Sequence, residues 1–149
     1  MQTEINTKQA LGVNGTISKA ETQYLATIQG VLMQDTQTGK AVAFGTNENE
    51  LVNTGITASN FVGFVVRDGF INSCETPTEI YKKGDTATII TKGSLFITAP
   101  TDAKQGQYVN IASGGALTFS DSAGATSYGW RVATGGASGE VIEITTTLE

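Results

Sequence analysis

The chain has 149 residues and a mass of 15.5 kDa, enough for one ordinary domain whose folding buries roughly 70% of the surface an unfolded chain exposes. It contains no histidine and one cysteine, Cys74, which excludes an internal disulfide, the usual Cys/His zinc sets within one chain and nucleophile-histidine catalysis. Nine Lys and Arg against fourteen Asp and Glu leave a net charge of −5 with no basic cluster, so no nucleic-acid partner is expected.

The densest apolar stretch, Phe61, Val62, Phe64, Val65 and Val66, is far short of the ~20 residues that cross a bilayer, so no membrane partner is expected. The polar N-terminal stretch lacks the apolar segment of a signal peptide, and synthesis in the cytoplasm is the expectation. Charged residues make up 15% of the chain against about 25% in a typical domain, so the surface has to be largely neutral. Threonine is the commonest residue and glycine, with 18, the next. Many Thr and Val with frequent Gly read as short strands joined by tight turns.

Residues 1–22 carry scattered apolar positions, Ile5, Leu11, Val13 and Ile17, among Thr, Asn, Gln, Gly and Lys. They read as an extended N-terminal arm, with a turn at Asn14-Gly15 and a short strand at Thr16-Ile17-Ser18. Ordering a residue costs about 1–2 kcal/mol, so an arm this poor in apolar residues gains little from its own domain: it is either a segment ordered by a partner surface or a frayed terminus. Residues 23–149 read as a single β-rich domain. Segments 24–33 and 40–44 are apolar runs around the turn residues 35–39, the pattern of a hairpin. In 61–67 strict alternation puts Phe61, Gly63, Val65 and Arg67 on one side and Val62, Phe64 and Val66 on the other, a central strand covered on both faces. Gly63 within it marks a bulge or a close backbone approach.

Asp68-Gly69 turns the chain into a short strand at Phe70-Ile71. Segments 86–91 and 94–99, either side of Lys92-Gly93, read as a hairpin in which Leu95, Ile97 and Ala99 share a face and Pro100 ends the second strand. Segments 108–111 and 116–119 around Gly114-Gly115, then 129–133 and 140–146 around the Gly-rich loop 134–139, repeat the pattern. In the last strand Ile142 and Ile144 share one face, Val141 and Glu143 the other. Turn signals about every ten residues predict an all-β fold, a small β-barrel or β-sandwich of short antiparallel strands.

Candidate chemistry is sparse. The Gly135 to Gly139 loop leads into a β-branched strand rather than a helix and has no accompanying Lys and Ser/Thr, so it reads as a hairpin loop and not as a phosphate cradle. Asn47-Glu48-Asn49-Glu50 is dense in oxygen ligands but lacks the spacing of a calcium loop. Asp68, Glu75, Glu79 and Asp85 include no pair that the sequence selects for carboxylate catalysis. Cys74 reads as a small apolar residue, and Asn14-Gly15-Thr16 as a turn rather than a glycosylated sequon. No cofactor, metal or catalytic residue is assigned. Tyr128 and Trp130, two apart on a strand, point the same way. They either pack in the core or form an aromatic platform for a partner chain or a sugar.

The order of segments carries a resemblance. Ala10-Leu11-Gly12-Val13-Asn14-Gly15-Thr16-Ile17-Ser18, a hairpin, and then Phe61-Val62-Gly63-Phe64-Val65-Val66 are similar to the capsid cement, or head decoration, proteins of tailed bacteriophages. The stretch from Tyr81 to Ile97, with its Gly84-Asp85 turn and two strands parted by Lys92-Gly93, resembles that family's pattern, as do Ala103 to Asn110 and the closing Gly-rich hairpin. The resemblance implies a non-enzymatic virion protein on the outer capsid surface that binds the major capsid protein, ties neighbouring subunits together and stabilises the shell. It also implies sister subunits, a trimer ahead of a dimer. Under it the interface residues are Ile5, Leu11, Val13 and Ile17 of the arm, with Tyr128 and Trp130. The alternative from another class is a carbohydrate-binding or host-surface-binding β module centred on Tyr128 and Trp130.

Overall fold

A computed structural model describes residues 15, 17–19, 25–66 and 80–146. Among them are thirteen strands. They are β1 (Ile17–Lys19), β2 (Ala26–Leu32), β3 (Thr36–Gln37), β4 (Ala41–Phe44), β5 (Glu50–Val52), β6 (Phe61–Val65) and β7 (Ile80–Tyr81). Then come β8 (Thr86–Lys92), β9 (Ser94–Thr98), β10 (Tyr108–Ile111), β11 (Leu117–Ser120), β12 (Ser127–Thr134) and β13 (Val141–Thr145). The fold is all-β, and it contains both a barrel and a packed sheet. Strands β2-β5-β4-β6-β8 close a barrel, β1-β9-β13-β12-β10-β11 form a six-stranded sheet, and β3-β7 make a two-stranded ribbon. Every pairing is antiparallel except β2 with β5.

The barrel is filled by aliphatic side chains: Leu32, Val42, Leu51, Val62, Val65, Ala87 and Ile89, with Tyr81 of β7 at their edge. Its outer wall supplies Ala41, Ala43, Phe64, Val66 and Ile90 to a second cluster. There they meet Leu95, Ile97, Val109, Ile111, Trp130, Val132, Ile142 and Ile144 from one face of the sheet. A barrel this small has no room inside for the rings, so the aromatic mass lies between barrel and sheet.

Strand β6 is central and buried, as its apolar composition predicts. Its facing differs from strict alternation. Ala43 pairs with Phe61 but Val42 pairs with Gly63, so Val62 is an extra residue. The bulge shifts the phase, turning Phe61, Phe64 and Val66 toward the sheet and Val62 and Val65 into the barrel. Gly63 is required by close approach as well: a Cβ there would run into the Ile90 carbonyl oxygen.

Two expected hairpins are corrected. Strands β2 and β4 flank the 35–39 turn but do not pair, because β5 inserts between them, and the turn itself supplies β3 to pair with β7. Strands β8 and β9 do not pair either: β8 bonds to β2 and β6, β9 to β1 and β13. Gly93 (φ 129°) is a corner where the chain leaves the barrel for the sheet. Both of its backbone groups are taken by Thr146, the N-H by Oγ1 and the carbonyl by the amide, each at 2.9 Å. The hairpins β10-β11 and β12-β13 form as read. Leu95, Ile97 and Ala99 share a buried face, as do Ile142 and Ile144. The expected turn and strand at Asp68-Gly69 and Phe70-Ile71 lie outside the described residues, as do Arg67 and Cys74.

Candidate functional site

Trp130 and Tyr128 do not form a surface platform. Gly129 between them takes a left-handed backbone (φ 96°), and residues 128–130 of β12 run opposite Val109 alone on β10, a bulge at which both rings pack toward the barrel. Trp130 is 1% exposed and stands edge-on to Phe64 at 5.0 Å. Tyr128 lies 5.1 Å from Phe61, which in turn meets Phe64 at 5.9 Å in a T-shaped contact. The four rings form a chain whose two ends lie on β12 of the sheet and whose middle pair lies on the bulged barrel strand β6. Each such pair adds about 0.5–1.5 kcal/mol beyond the area it buries. These residues weld the two halves together, and of the readings open for the pair, core packing is the one this geometry fits.

Of the arm residues, Ile5, Leu11 and Val13 lie outside the described residues. Ile17 is half-buried in β1 and packs on the cluster between barrel and sheet. Strand β1 docks on the edge of the sheet, with Ile17 opposite Leu95. The Gly15 N-H donates to the Phe96 carbonyl oxygen at 2.7 Å. Gly15 (φ 84°) is also the close neighbour of Thr38 in the 35–39 turn, where an added Cβ would sit 2.8 Å from that of Thr38. Beside it opens a groove of about 380 Å³. It is lined by Ile97 and Thr98 of β9, by Ala99 and Pro100 just after it, and by residues 37–40 and 115–117.

The polar candidates are turn-forming groups. In the 134–139 loop the Ala137 amide donates to Glu140 Oε1 at 2.6 Å and the Ser138 amide to Asp102 Oδ1 at 2.9 Å. Its donors already face carboxylates, which repel a phosphate. Glu50 accepts the Asn47 amide and side-chain N-H across the β4-β5 turn, so the oxygen-rich run is a closed turn. Asp85 accepts the Lys82 amide at 2.9 Å. Asp68, Glu75 and Glu79 lie outside the described residues. Among the described residues no group of three or more acidic, His or Cys side chains converges as a metal set, and no helix is long and apolar enough to cross a membrane.

Sequence reasoning passed over Phe44. It ends β4, two residues beyond Val42 inside the barrel, and is 54% exposed, while Ile80 of β7 is 40% exposed. The only local signal for Phe44 is its place at the end of an apolar run beside Gly45-Thr46-Asn47.

Comparison with known proteins gives this scaffold its setting. Residues 1–147 match the family described as structural cement protein (E217 gp24/Pam3 gp6). The chain belongs to this phage cement family. It is therefore a structural protein of the phage virion capsid. A search of curated proteins found no match. Among solved structures the fold is similar to a chain from the capsid of Myoviridae phage XM1, with a TM-score of 0.64 and 16% identity over 98% of this chain and 96% of that one. The N base of the bacteriophage phi29 head fibre gp8.5 aligns at a TM-score of 0.49 and 10% identity, over 84% of this chain and 98% of that one.

Proposed function

We propose that this cement-family chain binds the outer surface of the phage head, bridges neighbouring major capsid subunits and stabilises the assembled shell without catalysing any reaction. The observation that carries the reading is the family match across residues 1–147. The physical chemistry supports it. A surface on a chain with only 15% charged residues can be desolvated at many contacts without stranding unpaired ions. A protein that binds the assembled shell but not its free subunits shifts the equilibrium toward the shell, by about 2.7 kcal/mol per site at a hundredfold excess over Kd. Sister copies gathered at a symmetry axis, a trimer ahead of a dimer, would multiply such contacts.

The contacts assigned to this role are the N-terminal arm, with Ile5, Leu11, Val13 and Ile17, and the exposed Phe44. The rival sugar-binding reading loses its anchor because Trp130 is 1% exposed. The test uses empty heads with and without the purified chain, sedimented and then melted. The proposal expects co-sedimentation and a higher shell melting temperature. Heads that neither retain the chain nor gain heat resistance overturn it.

A further inference from the structure

We infer that Arg131, stacked on Tyr108 at the side of the sheet turned away from the barrel, is an anchor for a carboxylate on a neighbouring major capsid subunit. The inference rests on the cement reading and deepens it by naming one contact and its chemistry.

Three observations carry it. The first is placement. Val109, Trp130 and Val132 face the cluster between barrel and sheet, so Tyr108 and Arg131, directly opposite one another on β10 and β12, project from the other side. Both are half-buried. The second is preorganisation. The guanidinium lies over the Tyr108 ring, 4.4 Å from its centroid, and its Nε and Nη2 both donate to the Gly106 carbonyl oxygen, at 3.2 and 2.7 Å. The turn that carries this oxygen is pinned in turn: the Gly106 amide donates to the Val132 carbonyl, the Gln107 amide to the Lys104 carbonyl, and the Lys104 amide to Gln107 Oε1. One edge of the guanidinium is thus engaged, while the end-on edge, Nη1 with the other N-H of Nη2, bonds to no described residue. That edge is the fork that grips both oxygens of a carboxylate.

The third is charge. Between described residues the ion pair is Lys82 with Asp35, and Arg131 has no carboxylate partner among them. Its neighbours do not supply one. Thr145 stands opposite it on β13, Glu143 of that strand accepts from Thr134, and Asp121 just after β11 accepts from Gln107. A half-buried cation without a counter-charge is held at a cost that a docked carboxylate removes, and Arg with Tyr is the pair enriched where interfaces draw most of their energy. A sister copy is a poor source of the carboxylate, because Asp35, Glu50, Asp85, Asp102 and Glu140 each accept an amide N-H of their own chain. Arg131 and the exposed Phe44 belong to different layers, sheet and barrel, so one copy presents two separate contacts, as bridging requires.

The test uses empty heads and the full chain. Wild-type retention is measured beside that of Arg131→Gln, which removes the charge, and of Arg131→Lys, which keeps it and loses the fork. The anchor expects retention to weaken about tenfold or more in Arg131→Gln and by a smaller factor in Arg131→Lys, with a shallower salt dependence in Arg131→Gln. Wild-type and variant chains held equally well overturn the inference and leave the cement reading standing; a wild-type chain that heads do not retain overturns both. A second measurement needs no substitution and so stands even where a variant fails to fold. Phenylglyoxal, which modifies accessible arginines, is applied to the wild-type chain free and head-bound, and Arg131 is followed by peptide mass spectrometry. Modification of the free chain that falls about tenfold on heads, where the interface excludes solvent, supports the anchor. Equal modification in both overturns it. Protection that appears in the free chain as its concentration rises also overturns it, by giving Arg131 to a sister copy.

Discussion

The barrel and the six-stranded sheet solve the same burial problem in different ways. The barrel encloses its own aliphatic interior, Leu32, Val42, Leu51, Val65 and Ile89 all being 0–1% exposed. The sheet has one apolar face and no second sheet of its own to cover it, so it takes the barrel's outer wall as its other layer. The sheet therefore depends on the barrel for its buried face. The barrel depends on the sheet only to cover its outer wall, Ala41, Ala43, Phe61, Phe64, Val66 and Ile90. One cooperative unit follows, with the aromatic chain from Tyr128 to Trp130 as the joint.

That asymmetry can be broken step by step. The largest effect is expected from Gly63→Val, because the new Cβ meets backbone at Ile90 in both the bulge and the β6-β8 ladder. The loss should reach the ~4 kcal/mol that marks the severest single substitutions, read by urea unfolding. Trp130→Ala should cost about 3–5 kcal/mol and lower one shared melting transition. A calorimetric trace in which the sheet melts ahead of an intact barrel would refute the single-unit view. Asp102→Ala removes the acceptor for the Ser138 amide in an exposed loop and should cost about 1 kcal/mol, again by urea unfolding. Phe44→Ser should change stability by less than about 0.5 kcal/mol, since the ring is already 54% exposed, yet weaken retention on heads. Undiminished retention removes Phe44 from the proposed interface.

Much of the element content was legible. Gly39, Gly115 and Gly139 have positive φ and fall where turns were read, because a left-handed residue is a local requirement that glycine alone meets at no steric cost. The apolar density of 61–66 announced a strand buried on both faces, and Gly63 announced its bulge. The bulge's effect on facing was not legible, since it depends on which residue of β4 is skipped. The site was less readable. Tyr128 and Trp130 looked alike as core or platform, because two-residue spacing says that two rings share a face and not what lies beyond it. Phe44 carries the same local pattern as a buried strand residue.

Chain composition and local backbone demands determined that this protein is all-β, uncharged over much of its length, and punctuated at its glycines. Strand partnership was decided only in three dimensions. Hydrogen-bonding edges of β2, β4, β8 and β9 are chemically equivalent, so nothing local tells β8 to turn away from β9 at Gly93 or β5 to enter between β2 and β4. The choice falls to whichever arrangement closes a barrel over its aliphatic residues while leaving the rings to fill the space against the sheet.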